Sequence, residues 1–128
     1  SARLAKELIR GEQIAASAGA GYNIAARMNS LFMFDAVPAP GKTVAEVEDA
    51  IQQQIVRLQK EPVSPAELAR IKAQVRAEDV YQQDSIYYQA RLLGSLDSVG
   101  LDYRLIDSYA DRIEQVTAEQ VRQVAVKY

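Results

Sequence analysis

The chain has 128 residues, 48% of them apolar and 25% charged, with 15 basic side chains against 17 acidic ones and a net charge of −2. That length holds one domain or part of one, and a pI near 5.2 argues against the basic face that nucleic acid requires. No apolar run approaches the ~20 residues of a membrane-spanning helix, and the absence of both cysteine and histidine removes disulfides, imidazole or thiolate metal sites and imidazole acid–base catalysis.

Residues 1–9 read as the end of a helix with Leu4, Leu8 and Ile9 apolar, and Gly11 is its expected stop. From residue 13 to residue 22 the period changes to two: Ile14, Ala16, Ala18, Ala20 and Tyr22 fall on one face, Ala15, Ser17, Gly19 and Gly21 on the other. Residues 23–29 form a loop, and residues 31–37 a compact apolar strand whose one charge is Asp35, so the two strands are expected to pair as a hairpin. Thr43 with Glu46, and Ser64 with Glu67, are two capping boxes about one helix apart; Pro65 occupies a first-turn position where no hydrogen bond is lost.

The first box opens a helix over Val44–Lys60 with an apolar stripe of Val44, Val47, Ile51, Ile55 and Leu58. The second opens a helix at Pro65 with Leu68, Ile71 and Val75 inward. Residues 84–99 form a fourth helix or a bent continuation, with two apolar rows, Ile86, Ala90, Leu93 and Leu92, Leu96, Val99, ended by Gly100. Residues 101–113 form a fifth, and Thr117 with Gln120 caps a short last one.

Two strands cannot cover that many amphipathic helices, and a lone hairpin is marginal in water. Because the chain begins inside a helix, the missing strands are expected before Ser1 or in a partner chain. The fold class is α+β: a two-layer α/β sandwich, mostly antiparallel, with helices on one side of the sheet.

In order, Ser1-Ala2-Arg3-Leu4 into Lys6-Glu7-Leu8-Ile9-Arg10, the small-residue strand, Phe32-Met33-Phe34 with Pro40-Gly41-Lys42, Val63-Ser64-Pro65-Ala66-Glu67-Leu68, and Val116-Thr117-Ala118-Glu119-Gln120-Val121 with Val124-Ala125-Val126-Lys127-Tyr128 resemble the pitrilysin/insulinase family of zinc metallopeptidases. The resemblance covers essentially the whole chain. It implies that residues 1–128 are a single domain or domain fragment, the C-terminal portion of a peptidase-like half. It also implies a second half or subunit as partner, in a homo- or heterodimer, and an unstructured peptide as substrate.

The family's zinc motif, H-x-x-E-H, is not in the chain, so zinc is expected only in an active half and no cofactor in this one. The non-metal half contributes an Arg and, seven positions later, a Tyr to the substrate. Arg10 matches the Arg; the Tyr position falls on Ser17, which carries no phenol, and Tyr22 lies five residues further on. The resemblance therefore implies an inactive half, with Arg10 and Ser17 as the residues nearest a substrate role and no catalytic residue. Exported bacterial relatives suggest the periplasm, and nothing in the residues selects a compartment.

Other readings compete. Arg10 also suits a helix end, where a cation meets the negative pole of the dipole. Ser17, Gly19 and Gly21 could present backbone to an extended peptide or simply permit close packing. Tyr81, Tyr87, Tyr88, Tyr103 and Tyr109 could anchor an interface or sit where core meets water. Asp84, Asp97, Asp102, Asp107 and Asp111 follow no calcium-loop spacing and read as caps and solvated faces. The chain could also be a purely structural module of the same fold, as in the core subunits of the respiratory cytochrome bc1 complex, or a helical adaptor, in which case residues 13–37 would not be sheet.

Overall fold

The computed structural model describes residues 2–128; Ser1, the first residue of the expected helix end, lies outside the described residues. The chain forms two compact units, one of Ser1–Asn23, Ser30–Pro62 and Arg122–Tyr128, the other of Ile24–Asn29 and Val63–Val121.

The first unit holds the sheet. A single helical turn, α1 (Ala2–Leu4), runs into a π-helical segment, Ala5–Gly11. The wide turn is closed by Glu12 N–H donating to Glu7 O at 2.8 Å, five residues back instead of four. Gly11 is thus the last helical residue rather than the residue that turns the chain. The turn falls to Gln13, whose φ of 54° is left-handed, a conformation that costs a non-glycine residue about 1 kcal/mol or more.

Strand β1 (Ala15–Tyr22) then pairs antiparallel with β2 (Phe32–Pro38), from Ala15 opposite Pro38 to Tyr22 opposite Phe32. Residues 13–37 are therefore not a helical adaptor. A bulge between Ala15 and Ser17 inserts Ala16 and shifts the alternation by one. The sequence reading placed Ala15 with Ser17, Gly19 and Gly21; the bulge instead turns Ala15 to the core, beside Ala18 and Ala20.

Onto that face pack the π-helix and α2 (Val44–Lys60). Leu4, Leu8, Ala15, Val47 and Ala50 form the buried centre, with Ile9, Ile14, Ala36 and Ile51 around it, and Leu8 is wholly inaccessible. The helices lie on one side of the strands, as an α+β two-layer packing requires. Val44, expected to begin the stripe of α2, is 72% exposed, and the inward row starts at Val47 and continues through Ala50 and Gln54. Helical side chains lean toward the N-terminus, so a first-turn residue projects past the core's edge. Gln54 takes the buried place at the far end of that row, and its Oε1 accepts no hydrogen bond.

The start of α2 is a complete capping box. Glu46 N–H donates to Thr43 Oγ1 at 3.3 Å, and Thr43 N–H donates to Glu46 Oε2 at 2.8 Å. Thr43 Oγ1–H also donates to Glu46 Oε2, and Lys42 Nζ stands 3.2 Å from Oε1. At the other end, Gln59 Nε2–H donates to Ala125 O at 2.8 Å and Arg122 Nη1–H to Gln59 O at 3.4 Å, which ties the last turns of the chain to α2.

The second unit is helical. Ser64 Oγ accepts Glu67 N–H at 3.2 Å and opens α3 (Pro65–Gln83), with Pro65 in the first turn. Ser85 Oγ accepts Tyr88 N–H at 3.2 Å and opens α4 (Ile86–Ser98), so α4 is a separate capped helix and not a continuation. Gly100, at φ 76°, closes it: Leu101 N–H donates back to Leu96 O and Gly100 N–H to Asp97 O. Of the two apolar rows expected on α4, Leu92, Leu96 and Val99 turn inward, while Ile86 and Leu93 are exposed.

The next helix, α5 (Leu105–Glu114), begins four residues later than residue 101, because the Asp102 carboxylate accepts Arg104 N–H at 2.9 Å and holds a turn there. It packs on α3, where Lys72 Nζ donates to Glu114 O at 2.6 Å. The last helix, α6 (Ala118–Lys127), starts with the anticipated box: Gln120 N–H to Thr117 Oγ1 and Thr117 N–H to Gln120 Oε1.

Two outcomes follow. Leu8→Ala removes the most enclosed side chain and should lower the urea-unfolding free energy by about 3 kcal/mol. The Glu46 carboxyl is held below its ordinary 4.5, first by the Thr43 backbone N–H, then by the Thr43 hydroxyl and Lys42. A carboxyl whose folded pKa is depressed adds stability above its unfolded pKa and loses it as pH falls through the folded one. The stability difference between the wild type and Glu46→Gln should therefore be level above the ordinary Glu range and shrink in acid until it vanishes below the lowered value, as read by thermal melts across pH.

Candidate functional site

Arg10 lies in the last turn of the π-helix and is exposed. Its neighbour in the same segment, Glu7, pairs with Lys6 at 3.2 Å and with Arg57 of α2 at 3.5 Å, so the acidic charge near the helix is taken by other cations. Among the described residues no hydrogen bond or ion pair engages the Arg10 guanidinium. It is a cation presented to solvent at a helix end, just before the left-handed Gln13.

Ser17 stands on β1 opposite Val37 and is exposed. The bulge puts it on the face that turns away from Leu8 and Ala15, whereas the π-helix that carries Arg10 packs on the core face. The strand layer thus separates the two, and among the described residues no bond joins them. Ser17 shares its face with Gly19, Gly21, Met33, Asp35 and Val37. The reason for glycine at 19 is specific: a Cβ there would lie 2.8 Å from Asp35 Oδ1 and 2.9 Å from Oδ2. The small-residue strand accommodates a neighbouring carboxylate.

Of the five tyrosines singled out in the sequence, three converge. Tyr81 at the end of α3 and Tyr87 and Tyr88 at the start of α4 line an open concavity of about 520 Å3, with Glu78 and Arg91 at its margins. Arg91 lies over the Tyr88 ring at 5.5 Å, a cation–π distance. Tyr103 and Tyr109 are not part of it. Ser85, whose cap breaks α3 from α4, is what brings the three rings to one corner.

Two further features escaped the sequence reading. One is the π-helical widening, for which only the crowded Gly11-Glu12-Gln13 exit is a signal. The other is an aromatic cluster at the far end of the hairpin: Phe32 lies 6.5 Å from Tyr22 and 5.2 Å from Phe34, with the three rings 55%, 58% and 40% exposed for Tyr22, Phe32 and Phe34. The two-residue period groups Tyr22 with Ala18 and Ala20 but assigns Phe32 and Phe34 to no face, so the cluster was not legible. Among the described residues no group of three acidic, Cys or His side chains is arranged to hold a metal ion, and no helix is long and apolar enough to cross a membrane.

The fold has solved counterparts. A protease from Helicobacter pylori superposes with a TM-score of 0.89 at 21% identity over 98% of this chain, which spans 30% of that protein. The inactive peptidase domain of a candidate zinc protease from Bordetella parapertussis gives 0.80, and a candidate zinc protease from Bordetella pertussis Tohama I gives 0.78, each at 21% identity over 98% of this chain and 66% and 68% of theirs. At that identity the likeness establishes the architecture. No curated protein sequence matches the chain. The family described as Peptidase M16 inactive domain matches residues 1–75, a stretch that contains the π-helix, both strands, α2 and the start of α3. On that match the chain belongs to the peptidase M16 inactive-domain family.

Proposed function

We propose that the chain is the C-terminal portion of a non-catalytic peptidase half, a wall that helps enclose an unstructured peptide and pairs with a second half that carries zinc and performs the cleavage. The observation that carries this reading is the inactive-domain match over the sheet-bearing part of the chain. The absence of histidine and cysteine supports it, since the wall then contributes no ligand of the kind a peptidase zinc prefers. A second reading, a purely structural module of the same fold, draws support from the exposed aromatic cluster of Tyr22, Phe32 and Phe34, which suits a permanent interface better than a substrate channel.

In this reading Arg10 is the residue nearest to substrate. Its free guanidinium suits a peptide carbonyl or carboxylate. Ser17, turned to the opposite face, contributes no contact to the same peptide segment.

The purified chain with added zinc should cleave no unstructured peptide, and combined with its metal-bearing half it should support turnover that the half alone lacks. Turnover by the chain alone, or full activity without it, overturns the proposal. In that assembly Arg10→Ala should raise KM by about tenfold or more, the loss of one charge-assisted hydrogen bond, with kcat unchanged. An unaltered KM returns Arg10 to a helix-end role.

A further inference from the structure

We propose that Asp35 is a specificity determinant for a basic side chain: its carboxylate receives a lysine or arginine of the unstructured peptide. That peptide is the one of the enclosing-wall reading, on which the assignment rests. The segment concerned is distinct from any at Arg10, because Asp35 lies on the other face of the strands.

The placement follows from the pleat. Strand β2 alternates without a break, so Ala36 turns to the helices while Met33, Asp35 and Val37 turn away. A sheet grows edgeways, strand beside strand, so the face to which Asp35 belongs is the same however many strands the sheet holds. Asp35 is the single charge on the two strands. Among the described residues no cation and no N–H engages its carboxylate. Its neighbours on that face are glycine, serine and apolar side chains.

Two features fix where the carboxylate lies. Gly19 is its cross-strand partner, and a Cβ there would stand 2.8 Å from Oδ1 and 3.1 Å from Cγ. The acid therefore leans across onto β1, over bare backbone, instead of standing out into water. Met33 and Val37, both exposed, flank Asp35 two residues away, about 7 Å along β2 on either side. An acid set between two apolar groups fits a side chain that is apolar along its stem and cationic at its tip. The stem lies on Met33 or Val37 and the head group meets Asp35. An arginine fork can take both carboxylate oxygens, and a lysine ammonium takes one. A neutral side chain leaves the acid without a partner, and an acidic one is repelled.

The test uses the whole protein assembled with its metal-bearing half. The probe is a fluorogenic unstructured peptide that contains lysines, compared with the same peptide acetylated on every lysine, which removes the charge. KM for the lysine peptide should be about tenfold lower than for the acetylated one, the worth of one charge-assisted hydrogen bond. Asp35→Asn keeps the size of the side chain and removes its charge. It should raise KM for the lysine peptide to the value of the acetylated one. Gly19→Ala displaces the carboxylate without removing it, so it should narrow the lysine preference on its own and change nothing once Asp35→Asn is present. A merely structural effect at Gly19 would instead move both peptides alike in both backgrounds. No lysine preference in the wild type, or a preference that survives Asp35→Asn, overturns the proposal and leaves the enclosing-wall reading standing. Turnover of both peptides without this chain overturns that reading and the proposal with it.

Discussion

The first unit depends on one contact: Leu8, on a π-helical turn, buried against Ala15 of β1 and the Val47–Ala50 face of α2. Each of those three elements is weak by itself. A seven-residue π-helix has poor hydrogen-bond geometry, a two-stranded hairpin is marginal, and α2 needs a face to bury. Joined at Leu8, they share one apolar volume, and the free energy of removing it from water holds all three. The bulge at Ala16 belongs to the same arrangement, because without it Ala15 would face solvent and Leu8 would lose its floor.

Caps matter as much as the core in setting where elements begin. Thr43, Ser64, Ser85 and Thr117 each accept a backbone N–H three residues on, so the boundaries of α2, α3, α4 and α6 are chemical and local. This explains why those starts could be read from sequence to the residue, apart from Ser85, which is masked there by the acidic and amide residues around it. The Val44–Lys60 helix was legible end to end. What failed was phase. The alternation on β1 broke at a bulge that no residue type announces, and Val44 joined the stripe by spacing but not by position, since the core stops short of the first turn. The start of α5 slipped because the side chain of Asp102 competes with the helix for backbone donors.

The candidate site was less legible than the fold. Spacing put Arg10 and Ser17 seven residues apart, and the resemblance gave that interval a meaning. It said nothing of the sheet lying between them. Chemistry that depends on side chains meeting across a strand requires the face of each residue, and a single inserted alanine decides that face. The inactive-domain family match over residues 1–75 covers both positions and the sheet between them.

The contact of Gly19 with the Asp35 carboxylate ties two distant positions of the chain into one choice. A methyl group at 19 would drive the carboxylate aside, and a shorter residue at 35 would leave room above the strand. Among relatives, then, these two sites should covary: glycine where an acid stands opposite, and a larger side chain only where the acid has gone.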